Sequence, residues 1–410
     1  MKKIYIIGAG LGAGSITADA QAALIKSEAV FGAERLLAEY SAFTEGKRCV
    51  PVYGAAEICR EVGAGHESVF SVLVSGDPGF YSASLKICQV FEYSEDCEVE
   101  VLPGISSLNA MFAALGRPWQ NAALCSLHGR DANAAEYVRR NGLTFFLTGK
   151  NTALLSEKLC SAGYEDIKLY VGENLGSPEQ NVFACTAAEL AEMELSSLTV
   201  VVAENPDADA AVPAGLADGH FVRGDVPMTK SEVRAVLMSK LGIRPDMVCA
   251  DIGAGTGSCT VEMALAAWNG KVYAIDPNPE AVALIKENCR NFHIGNVEAR
   301  QGLAPDDIKD LPPLDAAFIG GSKGRMTEIF KEILAKNPEC RIVVSSIVLQ
   351  TLSAALEAFA ECGIEPEVVQ IAAAASKRVS GLDMMMARNP IFLVSGGGSH
   401  RAGAEDAHKG

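Results

Sequence analysis

A glycine-rich segment in the second half of the chain carries the residues with the clearest chemistry. The segment Asp251–Gly257 reads Asp-Ile-Gly-Ala-Gly-Thr-Gly, and it lies between an apolar run and a helical stretch. Glycines here let the backbone turn sharply and let a ligand approach without an intervening Cβ. Asp276 ends the next apolar run, where a carboxylate can accept hydrogen bonds from both hydroxyls of a ribose. This combination is typical of an S-adenosylmethionine site, with an NAD site or a plain tight turn as alternatives.

A polar segment upstream of this loop opens a helical pattern. The spacing predicts that Thr229 caps the helix and that Glu232, three residues later, completes a capping box. Thr229, Lys230 and Arg234 can additionally face the ligand cleft.

The first half has its own glycine-rich loop, Gly8–Gly14, directly after an apolar run. Gly8, Gly10 and Ala13 fit the GxGxxA fingerprint of a flavin or NAD protein, so an oxidoreductase is one interpretation. Two later runs, Ser75–Ser82 and Pro103–Ser107, also end apolar stretches in polar, glycine-rich turns.

Short apolar runs alternate with helical stretches along the chain, which predicts α/β layers in both halves. In the first half the predicted strands are Lys3–Ile7, Val69–Ser75, Val99–Leu102, Leu143–Leu147, Ile167–Val171 and Leu198–Val202. In the second half they are Val248–Asp251, Val272–Asp276, Val297–Gln301, Ala316–Ile319, Arg341–Ser345, Val368–Ala372 and Ile391–Val394. Helices are predicted between most of these, for example Ala281–Asn291 and Thr351–Cys362.

Length and composition predict more than one domain in a globular protein. The chain has 410 residues, of which 49% are hydrophobic and 21% charged. We expect a domain at 1–205 with subdomains of about 1–116 and 117–205, a Pro- and Gly-rich linker at 206–227, a second domain at 228–396 and a flexible tail at 397–410.

Charge and cysteine usage exclude several classes of protein. The net charge of −16 argues against a nucleic-acid partner, which would need a basic face, although a local cluster of cations can still bind an anionic small molecule. No apolar run approaches the roughly 18 residues that cross a bilayer, so no membrane partner is expected. The 12 cysteines include no CxxC pair, which predicts free thiols in a reducing cytoplasm and no metal site.

Three segments of the second half, Thr229–Arg234, Asp251–Gly257 and Gly320–Ser322, together resemble the decarboxylating methyltransferase domain of corrin biosynthesis. The resemblance implies a Rossmann-like, seven-stranded class I methyltransferase fold that binds S-adenosyl-L-methionine. By position, the implied cofactor residues are Thr229, Gly253, Ala254, Gly255, Thr256, Gly257, Asp276 and Ala304. Cations in or near loops at the expected strand ends are candidates for binding substrate carboxylates: Lys230, Arg234, Lys323, Arg325, Lys377, Arg378 and Arg388.

The first half resembles the tetrapyrrole methylase family through Ser75–Ser82, Pro103–Ser107 and the Gly116-Arg117-Pro118-Trp119 segment. This resemblance implies two α/β subdomains with S-adenosylmethionine in the cleft between them. The implied cofactor residues are Gly76, Asp77, Tyr81, Ser106 and Ser107. The implied residues facing the substrate are Gly8, Gly10 and Gly12.

The tandem order of the two families implies a cobalamin-biosynthetic enzyme. It would methylate precorrin-6B, or its cobalt form, at carbons 5 and 15 and decarboxylate the ring C acetate, giving precorrin-8 or its cobalt form. The reactive carbons of such a macrocycle are already nucleophilic, so orientation and water exclusion suffice and no catalytic residue is assigned. A homo-oligomer is expected, because related domains associate. A methyltransferase acting on RNA or protein is the alternative within the same class.

Overall fold

The computed structural model describes residues 1–92, 94–128 and 132–398, which form two compact units. The first unit contains Asn141–Ser156, Asp166–Pro206 and the described residues before 129. The second contains Ala132–Arg140, Glu157–Glu165 and the described residues from Asp207 onward. Most of the predicted tail, 399–410, lies outside the described residues.

The described part of the first unit contains two five-stranded sheets. Their strands are β1 (Lys2–Gly8), β2 (Ala29–Phe31), β3 (Arg48–Val50), β4 (Val69–Val74), β5 (Cys97–Leu102), β6 (Ala123–Ser126), β7 (Leu143–Leu147), β8 (Lys168–Glu173), β9 (Asn181–Thr186) and β10 (Thr199–Glu204). The first sheet is parallel, in the order β3-β2-β4-β1-β5. The second is mixed, in the order β6-β7-β10-β8-β9. The sequence patterns identified six of these strands and missed β2, β3, β6 and β9, which are short or lie at a sheet edge.

Local sequence signals explain where helices of the first half begin and end. The helices are α1 (Ala18–Lys26), α2 (Glu34–Glu39), α3 (Ser41–Thr44), α4 (Ala55–Ala64), α5 (Ser84–Phe91), α6 (Ser107–Leu115), α7 (Ala134–Arg140), α8 (Thr152–Ser161) and α9 (Ala187–Leu190). Ser106 caps α6 and forms a reciprocal capping box with Asn109. Gly116 ends the helix at φ 62°, a left-handed conformation that glycine adopts without strain.

The second unit is built on a seven-stranded sheet, as predicted. Its described strands are β11 (Val248–Ile252), β12 (Lys271–Asp276), β13 (Val297–Gln301), β14 (Ala316–Ile319), β15 (Arg341–Ser346), β16 (Glu367–Ile371), β17 (Ala374–Val379), β18 (Leu382–Ala387) and β19 (Ile391–Gly396). The sheet order is β13-β12-β11-β14-β15-β19-β16, in which β19 runs antiparallel to both neighbours and the other described pairings are parallel. β17 and β18 form a separate two-stranded antiparallel sheet. The helices are α10 (Ser231–Leu241), α11 (Ser258–Ala266), α12 (Pro279–Asn291), α13 (Met326–Lys336) and α14 (Leu349–Glu361). These features confirm the predicted α/β, Rossmann-like fold.

The central strands of this sheet are mostly apolar because both faces are covered. In β14, Ala316 and Phe318 belong to one hydrophobic cluster, whereas Ala317 and Ile319 belong to another. Successive side chains of a strand point to opposite faces, so the two clusters lie on opposite sides of the sheet. The sheet is thereby fixed as a rigid platform, and the ligand-binding chemistry falls to the loops at its edge.

Two local predictions in the second half differ from the structure. The cap of α10 is Lys230 and has no side-chain cap hydrogen bond, so the predicted capping box of Thr229 and Glu232 is wrong. The Glu232 carboxylate instead accepts a hydrogen bond from Arg388. The hairpin β17–β18 was not predicted, although Ser380 and Gly381, both with positive φ, form the kind of tight turn that joins two strands.

No helix among residues 1–92, 94–128 and 132–398 is long and apolar enough to cross a membrane. All twelve cysteines are free thiols in the structure.

Candidate active sites

A cavity of about 1060 Å³ opens at the carboxyl ends of the parallel strands in the second unit. Loops that follow β11, β12, β13, β14 and β15 form most of its walls. Residues 226–230, ahead of α10, and residues that flank the β17–β18 hairpin complete them. Ligands of open α/β sheets bind at this edge, where the strand order reverses direction.

Most of the predicted residues of the second half line this cavity. The structure brings together Thr229, Lys230, Gly253, Ala254, Gly255, Asp276, Ala304 and Lys323. Thr256 and Gly257 do not line it. The Thr256 side chain is 1% exposed, and Gly257, at φ 78°, turns the chain into α11.

Asp276 lies at the end of β12 with its carboxylate held by the backbone. One oxygen accepts a hydrogen bond from the Gly255 amide at 2.9 Å, and the other accepts one from the Asn278 amide at 2.9 Å. A carboxylate accepts about four hydrogen bonds, so each oxygen keeps a lone pair for a ligand in the cavity. The two amides therefore orient Asp276 without consuming its capacity to bind hydroxyl groups.

The glycine loop after β11 is required by close backbone packing. A Cβ on Gly253, which has φ 75°, would lie 2.7 Å from the Gly321 amide nitrogen. A Cβ on Gly255, at φ 57°, would lie 2.8 Å from the Pro227 carbonyl oxygen. Glycine at these positions lets three loops of the cavity wall come within backbone contact of one another.

Asp251, the first residue of the glycine motif, is a fully buried carboxyl group. It accepts a hydrogen bond from the Thr260 hydroxyl at 2.6 Å through one oxygen, and its other oxygen has no partner among the described residues. Burial, reinforced by the negative charge of Asp276, raises the pKa of Asp251 to about 7. Asp251 is therefore a structural residue that links the start of the glycine loop to α11 and does not contact the cavity.

This raised pKa predicts a pH-dependent contribution to stability. Between about pH 4 and about pH 7 the unfolded chain has lost the Asp251 proton while the folded chain keeps it, so the free energy of unfolding falls as pH rises. We expect the melting temperature of Asp251→Asn, relative to wild type, to increase by about 5 °C from about pH 5 to about pH 8. Scanning calorimetry measures this difference. Asp246→Asn, at an exposed position, is the control and should show none.

The structure corrects the assignment of Arg234 as a substrate-binding residue. Its side chain is 0% exposed and donates to Glu262 at 2.7 Å and to Asp218 at 3.1 Å. It also donates to the carbonyl oxygens of Leu216 and Thr229. Arg234 therefore fixes the segment that precedes α10, residues 215–230, and is not available to a ligand.

The remaining predicted cations differ in their availability. Arg325 does not line the cavity and pairs with Asp306 and with Glu328. Lys230 lines the cavity and lies 3.3 Å from the second oxygen of Asp218. Lys323 also lines it and makes no side-chain hydrogen bond or ion pair with any described residue.

In the first unit the loops after three neighbouring strands converge through glycines. Gly10 and Gly76 exchange two backbone hydrogen bonds, of 3.0 and 3.1 Å. A Cβ on Gly8 would lie 2.6 Å from the Gly104 amide nitrogen, and a Cβ on Gly104 would lie 2.3 Å from the Gly76 carbonyl oxygen. The structure thus brings together Gly8, Gly10 and Gly76, which the sequence had assigned to two different ligands. Gly12, at φ 132°, lies in the same loop, next to the Glu39 side chain.

Polar side chains tie these loops together. Asp77 accepts hydrogen bonds from the Gly79 amide at 2.8 Å and from the Gly104 amide at 3.1 Å, which links the loops after β4 and β5. Tyr81 is 43% exposed at a positive φ of 48°. Ser106 is 3% exposed and its hydroxyl is used as the cap of α6, while Ser107 is half-buried in the first turn of that helix.

Replacing Gly104 with alanine is therefore expected to disrupt the first-half site. The new methyl group would overlap the Gly76 and Gly8 carbonyl oxygens, which are backbone atoms that cannot move aside individually. We expect a loss of about 1–3 kcal/mol of stability in the first unit, measured by denaturant unfolding of the full chain. Gly63→Ala is the matched control, because that helical position has open space around it. Equal behaviour of the two variants would contradict the close approach.

Sequence reasoning missed several residues of these sites. Gly104 lies in a recognised segment, but only the fold shows that it contacts two other loops. Glu262 gave no motif at all, because its partner Arg234 is remote in sequence. The pairing of Ser106 with Asn109 could have been predicted from the sequence. A serine followed three residues later by a hydrogen-bonding side chain is the capping-box pattern.

The cavity of the second unit fits S-adenosylmethionine. Its volume suffices for a nucleoside with an amino-acid arm. The oriented carboxylate of Asp276, at the end of the strand next to the glycine loop, matches the two hydroxyls of a ribose. The fold and the site together define an S-adenosylmethionine-dependent methyltransferase.

Comparisons with known proteins agree with this class. A family model for tetrapyrrole (corrin/porphyrin) methylases matches residues 3–191, and a model for the precorrin methyltransferase domain matches residues 220–395. A probable cobalt-precorrin-6B C(15)-methyltransferase (decarboxylating) of Pyrobaculum calidifontis is 39% identical over 184 residues, which are 44% of this chain and 94% of the relative. Its counterpart in Sulfolobus acidocaldarius is 36% identical over 44% of this chain and 96% of the relative.

A crystal structure of precorrin-6Y C5,15-methyltransferase from Geobacter metallireducens is 34% identical and has a TM-score of 0.43, covering 46% of this chain and 98% of that chain. On the sequence matches, the chain belongs to the methyltransferases of corrin biosynthesis, with a tetrapyrrole methylase region ahead of a precorrin methyltransferase domain. It is an S-adenosylmethionine-dependent C-methyltransferase, and the comparisons give no support to an oxidoreductase or to an RNA or protein methyltransferase.

Proposed function

We propose that this chain methylates precorrin-6B, or its cobalt form, at carbons 5 and 15 and removes carbon dioxide from the ring C acetate. The observation that carries the proposal is the cavity lined by Asp276 and the glycine loop, in a region that matches the precorrin methyltransferase model. The relatives named for carbon 15 methylation with decarboxylation support the assignment of those two steps to the second half. The tetrapyrrole methylase match supports a separate methylation, at carbon 5, by the first half.

We also propose the domain division that these activities need. The first domain covers 1–205, with subdomains of about 1–116 and 117–205, and the second covers 228–396. The division of the strands supports it, because the described strands before residue 206 form two five-stranded sheets and those after residue 227 form a seven-stranded sheet and a two-stranded hairpin. Residues 215–222 within the intervening segment hydrogen-bond to Glu262 and Asn288, so this part of the predicted linker packs as a fixed element.

In each site the protein's task is to orient the reactants. S-adenosylmethionine supplies an electrophilic methyl group when bound. Asp276 and the loop at Gly253–Gly255 hold the ribose end, and Thr229 and Lys230 line the same cavity. In the first half, Gly76, Asp77, Tyr81, Ser106 and Ser107 are proposed to hold the cofactor, and Gly8, Gly10 and Gly12 to face the macrocycle.

The substrate itself supplies the reactive carbons and the electron sink. An enamine-like carbon of the reduced macrocycle forms the new carbon–carbon bond as the bond from sulfur to the methyl group breaks. In decarboxylation the bond to the carboxylate breaks, its electron pair enters the conjugated ring, and the acetate carbon then takes a proton from solvent. A water-poor cavity favours loss of the carboxylate, because hydration stabilises that charge.

The proposal is tested by mass spectrometry of reactions that contain the full chain, S-adenosylmethionine and the reduced precorrin-6 macrocycle, with and without cobalt. We expect a product with two added methyl groups and one lost carbon dioxide, and the preferred macrocycle identifies the metal state of the substrate. Absence of any reaction with either macrocycle would overturn the proposed function.

We further propose that the chain forms a homo-oligomer through the β17–β18 hairpin. The hairpin carries large apolar side chains in water: Leu382 is 76%, Met384 51%, Met385 65% and Met386 45% exposed. Side chains alternate along β18, so both faces of the hairpin expose apolar surface, and exposed surface of this kind marks an association site. Light scattering after size exclusion should show an oligomer that Met385→Glu dissociates, and a monomeric wild type would contradict the proposal.

The free thiols support a reducing, cytoplasmic location.

A further inference from the structure

The strand order of the second unit divides the cavity into two sides. β11 lies at the middle of the parallel strands, with β12 and β13 on one side and β14 and β15 on the other. Asp276 and Ala304 follow β12 and β13, whereas Lys323 and Ile347 follow β14 and β15. The ribose-binding carboxylate and the unpaired lysine therefore lie on opposite sides of the glycine loop.

The side formed by the loops after β14 and β15 exposes aliphatic surface. Ile347 and Val348 both line the cavity, and they are 58% and 53% exposed. Large aliphatic side chains at the mouth of a cavity favour a ligand that covers them with an apolar face, since burial of that surface drives association. The Asp276 side exposes less aliphatic surface, since Leu303 lines the cavity there and is 37% exposed.

Cations line the same cavity. Lys323 lies in the Gly320–Gly324 loop at φ 49°, and this loop is tied to the end of β11 by the Gly320 amide, which donates to the Ile252 carbonyl oxygen at 2.8 Å. Arg388 lines the cavity and pairs with Glu232, which lines it too. With Lys230, the cavity wall has three cations against two carboxylates, although the whole chain has a net charge of −16.

We propose that this second side of the cavity is the substrate subsite. The flat face of the ligand packs on Ile347 and Val348, while Lys323 binds one peripheral carboxylate and Arg388 exchanges Glu232 for another. This inference rests on the proposed function and adds the residues that select an apolar ring with carboxylates at its rim. An acid exchanged for Glu232 keeps Arg388 paired in both states, so binding does not require a buried unpaired charge.

The test uses the full chain and two pairs of variants. Ile347→Asp places a negative charge under the ring, and Leu349→Asp is its control, because Leu349 is 69% exposed two residues away and does not line the cavity. Lys323→Ala removes the unpaired cation, and its control is Lys286→Ala, an exposed lysine outside the cavity. The readouts are release of carbon dioxide as a function of macrocycle concentration and calorimetric binding of S-adenosylhomocysteine.

We expect the KM for the macrocycle to rise about tenfold or more in Ile347→Asp and Lys323→Ala, with S-adenosylhomocysteine binding within about twofold of wild type. Both controls should match wild type. If wild type turns over and all four variants behave alike, the subsite is wrong and the proposed function stands. Loss of S-adenosylhomocysteine binding in Ile347→Asp and Lys323→Ala would also overturn the division of the cavity into a cofactor side and a substrate side. A wild type that releases no carbon dioxide would refute the proposed function itself.

Discussion

Replacement of Asp276 by asparagine is expected to remove one of two binding sites for S-adenosylhomocysteine in the full chain. The carboxylate is held by the amides of Gly255 and Asn278 so that it faces the cavity, and a ribose would use its remaining lone pairs. An amide loses the charge and replaces one acceptor with a donor that opposes a backbone N–H. We expect affinity at this site to fall about a hundredfold or more.

Calorimetric titration reports this directly, because wild type should bind two equivalents and Asp276→Asn only one at moderate concentration. Loss of carbon dioxide release with retention of one methyl transfer is the matching catalytic result. Asp246→Asn, which changes an exposed aspartate outside the cavity, should keep both sites. Two undiminished equivalents in the Asp276 variant would refute the assignment of this carboxylate.

Replacement of Arg234 by methionine is expected to destabilise the second unit by about 3–5 kcal/mol. The guanidinium is completely buried and paired with Glu262, whose side chain is also 0% exposed. Without it, a buried carboxylate has no cation, and the Leu216 and Thr229 carbonyl oxygens lose a donor. The measurement is denaturant unfolding followed by Trp268 fluorescence in a Trp119→Phe background, since the chain has two tryptophans.

A double variant distinguishes the loss of the ion pair from a general disruption of packing. Arg234→Met combined with Glu262→Leu removes both charges, so it should be less destabilised than Arg234→Met alone. Arg244→Met, at an exposed arginine, should change stability by less than about 0.5 kcal/mol. A loss below about 1 kcal/mol in Arg234→Met would mean that the segment at 215–230 does not depend on this network.

The central strands could be predicted from sequence because their apolar runs are long and bounded by glycines. β11, β12 and β14 have observed bounds within one residue of the prediction. Short strands such as β2 and β3, three residues each, carry too little pattern to separate from loops. The hairpin β17–β18 was missed because Met384 and Met385 are exposed, and strand patterns assume that one face is buried.

The sequence by itself determined the glycine loops, the acid at the end of β12 and the order of the two domain families. Each of these is local, since a positive φ or a strand end is specified by neighbouring residues. Only the tertiary structure decided which cations are available to a ligand. Arg234 is consumed by Glu262, 28 residues away, and Arg388 meets Glu232, 156 residues away. Whether a long charged side chain is free to bind a ligand depends on the charges that the fold places beside it. The sequence does not show which remote residues come into contact.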